Sequence, residues 1–90
     1  MAFEGMNTDE VRGLAGQLDH QSSQINSVIG QIDSIIGQLE SAWKGQDATT
    51  FAGWWRDQHR PHLLSAEQAI NGLATSARNN ASDQDSVSKH

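Results

Sequence analysis

The 90-residue chain has no cysteine, a single proline, and six lysines and arginines against eleven aspartates and glutamates. Without cysteine it can form neither disulfide staples nor thiolate metal sites, although that absence does not identify a compartment. The net charge of -5 opposes attraction to a phosphate backbone or an anionic lipid surface. No apolar run approaches the roughly 20 residues that span a bilayer. Met1 to Gly13 lack the basic start and apolar stretch of a secretory signal peptide, so any export is expected by another route. A chain this short struggles to bury enough apolar surface alone, which points to an extended shape or a partner.

What the sequence does have is periodicity. Asn7-Thr8-Asp9-Glu10 reads as a helix start: the Asn7 side chain can accept from the N–H at position 10, and Glu10 can reach back toward it. From Gly16 the chain falls into heptads, G-Q-L-D-H-Q-S, S-Q-I-N-S-V-I, G-Q-I-D-S-I-I and G-Q-L-E-S-A-W. Taking Val11, Leu18, Ile25, Ile32 and Leu39 as position a puts Leu14, Gln21, Val28, Ile35 and Ala42 at d. Position e is then Ala15, Ser22, Ile29, Ile36 and Trp43. One helix from about residue 8 to 43 follows, about 50 Å long at 1.5 Å per residue.

A two-stranded coiled coil needs only a and d, whereas an apolar arc over a, d and e is wide enough for two neighbouring helices. The g positions 17, 24, 31 and 38 are all glutamine, so charge pairing along that edge does not select a partner. The f positions Gly16, Ser23, Gly30 and Gly37 form a line of small residues, either facing solvent or leaving a groove for close approach.

Gly45 can adopt a positive φ, and Lys44 to Gln46 can form a tight turn. Asp47 is the expected N-cap of a second amphipathic helix from about 47 to 79, carrying Ala48, Phe51, Trp55, Leu63, Ala66, Ile70, Leu73 and Ala77 on one face. Trp54 projects to its flank. Pro61 lies inside this helix, where its ring and missing N–H predict a kink or break near residues 57 to 61. Residues 1–79 thus read as an all-α antiparallel hairpin, and 80–90, N-A-S-D-Q-D-S-V-S-K-H, as a disordered polar tail. The large Trp43 ring is expected to lie near Ala48 and Phe51, covering the end of the seam.

The chemistry on offer is slight. His59 and His62 are two ligands at most, with Pro61 between them, and ordinary surface or packing histidines are the plainer reading. Arg56, His59, Arg60 and His62 form a basic cluster, either a solvated face or a contact for an acidic surface. The b positions Asp19, Asp33 and Glu40, with Asn26, are expected to be exposed. Nothing pairs two carboxylates or sets a base beside a nucleophile, and no phosphate loop follows a strand. No enzyme activity and no cofactor or metal site are expected.

The run Ala42-Trp43-Lys44-Gly45-Gln46-Asp47-Ala48-Thr49-Thr50-Phe51 resembles the W-x-G-x-x-A-x-x-F pattern of the WXG family, and the likeness extends over nearly the whole chain. The resemblance implies a hairpin that dimerises into a four-helix bundle and is secreted by a type VII system without a cleaved signal peptide, after residing in the cytoplasm. It makes Trp43 and Gly45 the turn and export motif. The stripe of Val11, Leu14, Leu18, Ile25, Val28, Ile29, Ile32, Ile35, Ile36, Leu39, Phe51, Trp54, Trp55, Leu63, Ala66, Ile70 and Leu73 becomes the core and dimer face. Family tails carry a Y-x-x-x-D or Y-x-x-x-E signal, and this sequence has no tyrosine; four residues before Asp83 and Asp85 stand Asn79 and Ala81. The resemblance therefore implies a heterodimer whose partner supplies that tail, with the secretion-system ATPase engaging the complex. The residues alone leave a second reading open, an intracellular helical adaptor that holds a larger protein through the same stripe.

Overall fold

In the computed structural model, which describes residues 6–88, the chain is a helical hairpin with extents of 67 × 17 × 15 Å. Helix α1 runs Thr8–Ala42, α2 Gln46–Trp54 and α3 Arg60–Ser88, with a π-helical turn over Trp55–His59 joining the last two. The start of α1 follows the capping expectation: Asn7 Oδ1 accepts from the Glu10 N–H at 3.0 Å, and Asp9 and Glu10 lie in the first turn, where the helix dipole favours acids.

At the other end of α1, Trp43 leaves helical geometry at φ -119° and ψ 107°, and its N–H reaches the Leu39 carbonyl at 2.8 Å. Gly45 follows at φ 120° and ψ 178°, a region open to glycine and essentially closed to residues with a Cβ. Nothing stands within 4 Å of where its Cβ would be, so glycine is required by backbone torsion and not by crowding. Gly45, not Asp47, occupies the N-cap of α2; its carbonyl accepts from the Thr49 N–H and hydroxyl, both at 3.3 Å. Asp47 lies within the first turn, where a carboxylate still suits the dipole.

The interruption expected near Pro61 takes the form of the π turn. Arg60 N–H bonds the Trp55 carbonyl, an i to i-5 bond that widens the backbone just before the residue that has no N–H to donate. The chain beyond residue 79 departs from expectation, because α3 continues as helix to Ser88. Ala81 is fully buried and Arg12 Nη2 donates to Asp85 Oδ2 at 2.5 Å, so α1 provides this polar segment with a surface that composition alone does not reveal. Lys89 and His90, the end of the expected disordered tail, lie outside the described residues.

The core inside the hairpin is narrow. Ile29, Ile36, Ala52 and Trp55 form its buried cluster, with Ile25, Ile32, Leu63 and Leu64 packed against it. Farther from the turn the buried residues are small: Ala15, Ser22, Ala74 and Ala81.

Candidate functional site

The three apolar rows of α1 have separate roles. Row e is buried against the second arm at Ala15, Ser22, Ile29 and Ile36. Row a is shared: Val11, Leu18, Ile25 and Ile32 are half-buried, and Leu39 is exposed. Row d faces outward, leaving Leu14 52%, Val28 47% and Ile35 53% exposed. On the second arm Leu63 and Ile70 are half-buried, Ala66 is exposed and Leu73 is 60% exposed. Large aliphatic side chains repeated at this spacing and this exposure form an apolar face, interrupted at Gln21, that no other helix among the described residues covers.

The opposite edge of α1 is polar, and here Asn26 is exposed as expected while the three carboxylates at b are half-buried. Arg12, Asp19, Asp33 and Glu40 each pair with the second arm, through Asp85, Arg78, Arg60 and Arg56 respectively. Asp33 is the most engaged. It accepts from Trp55 Nε1 at 2.8 Å and from Arg60 Nε at 3.0 and 3.1 Å. The Arg60 hydrogen bond, followed by that from Trp55, holds its carboxyl below the ordinary 3.8. Glu40 binds both terminal nitrogens of Arg56, at 2.9 and 2.5 Å, a two-point fit that planar guanidinium makes well. This hydrogen bond lowers the Glu40 pKa and raises that of Arg56.

Two members of the basic cluster, Arg56 and Arg60, are thus tied within the hairpin and are not a free surface for an acidic partner. Their pairings were hidden in the sequence because they join residues 16 and 27 apart. The available clue was that the charges of α1 after its first turn all recur at b. His59 and His62 are exposed, and the described residues hold no group of three or more His, Cys, Asp or Glu arranged for a metal.

Around the turn, Trp43 and Phe51 meet with ring centroids 5.9 Å apart and planes at 55°, a tilted geometry that aromatic quadrupoles favour. Both rings remain about two-fifths exposed, so Trp43 reaches its expected neighbour without sealing the end of the seam. Trp55 points inward and Trp54 outward, 53% exposed. Trp54, Phe51, Trp55, Ile32, Ile36 and His59 line an open cleft of about 230 Å³. A second depression of about 380 Å³, between Leu14, Gln17, Leu18 and Gln21, lies on the outer face of α1 far from the turn. Both are shallow apolar recesses suited to receiving side chains from another helix, and no helix among the described residues is long and apolar enough to cross a membrane.

Comparison with known proteins bears on this hairpin in three ways. No curated protein matches the sequence. The solved structures include Geobacillus thermodenitrificans EsxA in its crystal form I, which superposes with a TM-score of 0.83 at 21% identity over 94% of this chain and 91% of that one. At that identity the likeness establishes the helical hairpin fold. The family model WXG100, described as proteins of 100 residues with WXG, matches residues 5–86, which takes in both arms and the Trp43-Lys44-Gly45 turn. The chain belongs to the WXG100 family of small type VII secretion substrates.

Proposed function

We propose that this protein is a non-enzymatic secreted hairpin, exported as one half of a WXG-family heterodimer that closes into a four-helix bundle. The observation that carries the reading is the half-exposed row Leu14, Val28 and Ile35 beside Leu73, on a hairpin whose opposite edge is already occupied by its own ion pairs. Burying such a face on a partner is favourable at about 25 cal/mol per Å² of apolar surface, and a four-helix bundle is the packing that takes apolar faces from two hairpins. The partner carries a Y-x-x-x-D or Y-x-x-x-E tail, since there is no tyrosine in these 90 residues. Trp43 and Gly45 supply the turn that lies beside that tail, and the secretion-system ATPase reads the two together.

The protein is made in the cytoplasm and leaves it without a cleaved signal peptide. Affinity capture of the tagged chain from its own cells, with immunoblots of captured material, pellet and medium, tests this reading. Ile35→Asp is expected to leave the hairpin helical by circular dichroism while eliminating the co-captured small partner and export together. Trp43→Ala is expected to keep the partner and lose export. Removing the tail of the co-captured partner is expected to hold both chains in the pellet. Normal export of Ile35→Asp, or capture of a large cytoplasmic protein with no chain ever in the medium, would replace the secretion reading with the adaptor.

A further inference from the structure

The outward face of α1 is free of formal charge. Between Val11 and Ala42 the only Asp, Glu, Lys or Arg residues are Arg12, Asp19, Asp33 and Glu40, and all four lie on the edge that pairs within the hairpin. Over the same span rows d and g, which border the outer face, contain only apolar residues and glutamine. A chain with a net charge of -5 therefore offers a partner about 45 Å of helix, at 1.5 Å per residue, with no ionised group to desolvate or match.

One side chain breaks the apolar d row. Gln21 stands among Leu14, Val28, Ile35 and Ala42 and lines the recess beside Leu18. Next to it, on the inner side, Ser22 is 2% exposed and donates to Glu67 Oε2 at 2.6 Å. A polar layer thus crosses the hairpin at this height: Ser22 donates to Glu67 on the inner side, and the Gln21 amide is exposed on the outer one. Covered by an apolar residue, that amide would lose its water hydrogen bonds without replacement.

A second copy of this chain cannot supply the replacement from its apolar rows in most arrangements. On the second arm, the row Leu63, Ala66, Ile70, Leu73 and Ala77, part of which also packs inward, stays apolar as far as Asn80. Two antiparallel copies of α1 in full overlap would set Gln21 of each against Val28 of the other. Parallel first helices bring Gln21 to Gln21 but stack the exposed acids Asp9, Glu10 and Asp83 of both copies at one end, and antiparallel first helices shifted by one heptad do so only by leaving Ile35 of each copy beyond the overlap.

Building on the heterodimer reading, we propose that the outer face of α1 takes an uncharged helix of a different hairpin, which places a hydrogen-bonding side chain opposite Gln21. The Gln21 amide, and not charge, excludes self-pairing. A single buried polar side chain in an apolar seam is a known means of setting register and partner choice at some expense of stability.

The test uses the full chain alone, by sedimentation equilibrium with circular dichroism to confirm folding. Gln21 is exposed in the hairpin, so replacing it leaves the fold intact. Gln21→Leu is expected to tighten self-association at least about tenfold, because a symmetric pair is relieved of two unsatisfied amides. Gln21→Ala, which removes the amide while adding little surface, shifts it less in the same direction. Ser23→Leu, on the far side of α1, leaves it unchanged, and association of the Gln21→Leu chain varies less than about twofold between about 0.05 and 0.5 M salt. Equal self-association of wild type and Gln21→Leu with a monomeric wild type would overturn the amide layer alone. A tight wild-type homodimer would overturn the layer and the heterodimer with it. A Ser23→Leu effect as large as that of Gln21→Leu, or strong salt dependence, would show that general stickiness or charge governs the face.

Discussion

The two halves of the hairpin are held by different means. Near the turn the core contains Ile29, Ile36 and Trp55, and its polar links join residues only 16 to 27 apart. Toward the open end the buried positions are Ala15, Ser22, Ala74 and Ala81, and the links Arg78 to Asp19 and Arg12 to Asp85 join residues 59 and 73 apart. Apolar stabilisation scales with buried area, and closing a longer loop carries a greater entropic cost. The turn half is therefore the self-sufficient part of the molecule. In the open half alanines let the helices approach but bury little, and Leu14 and Leu73 stay exposed; the turn half exposes Ile35 and Trp54 as well, but over a core of its own.

The strongest way to break this comparison is at Trp55. Trp55→Ala empties the centre of the turn-half cluster and removes one of the two donors to Asp33, with an expected loss of about 3–5 kcal/mol. That approaches the whole stability of so small a domain, about 5 kcal/mol or somewhat more, so the isolated variant should be largely unfolded by circular dichroism at room temperature. Leu73→Ala removes a comparably large side chain from the open half and should lower the isolated chain's stability by no more than about 0.5 kcal/mol, as at other exposed positions. Equal losses in urea titrations would show that the two halves share one core.

Gly45 comes next. With φ at 120° and open space around the missing Cβ, Gly45→Ala should cost about 1–3 kcal/mol of backbone strain, and Gly45→Ser nearly the same. A loss that grew steeply with side-chain size would point to a steric contact. Gly30, also surrounded by open space but in mid-helix, makes the opposite case: Gly30→Ala should stabilise the hairpin by about 0.5–1 kcal/mol.

Acid should act on the turn half through Asp33 and Glu40. Both carboxyls titrate below their ordinary values of 3.8 and 4.5. Because the folded-state values are depressed, their stabilising contribution is complete above the ordinary values and is lost as pH falls through the depressed ones. Thermal melts should be level in these two contributions from neutrality to about pH 5 and fall below about pH 4, and Asp33→Asn should flatten that acid limb. An acid limb unchanged in the variant would move its origin to other carboxylates.

Much of this architecture was legible in the sequence, for identifiable reasons. The heptads of α1 placed the helix within a residue of its ends, and Asn7 capped it as expected, since both features are local. Trp55 inward and Trp54 outward followed from helical geometry. The division of labour among rows a, d and e was not legible, because an apolar row does not state which neighbour covers it. The end of α3 was misread for a related reason: residues 80–88 are polar, yet Ala74 with Ala81, and Arg78 with Asp85, continue a seven-residue spacing that matches Ala15, Asp19 and Arg12 on α1. Composition favoured a loose tail, and tertiary pairing over 73 residues of chain outweighed it.

The smallest expected effect is at that pairing, and it tests the comparison most finely. Arg12 and Asp85 side chains are 38% and 33% exposed, and pairs so open to solvent contribute about 0–1 kcal/mol. Arg12→Ala should therefore leave the midpoint of global unfolding almost unmoved. Its effect should appear locally, as faster amide exchange over the last two turns of α3, because that segment lies at the far end of the hairpin and opens without disturbing the Trp55 cluster. Exchange near Ile29 and Trp55 should keep its rate. If Arg12→Ala instead accelerated exchange in both halves alike, the hairpin would open as a single unit, and the open half would be as integral to the fold as the turn.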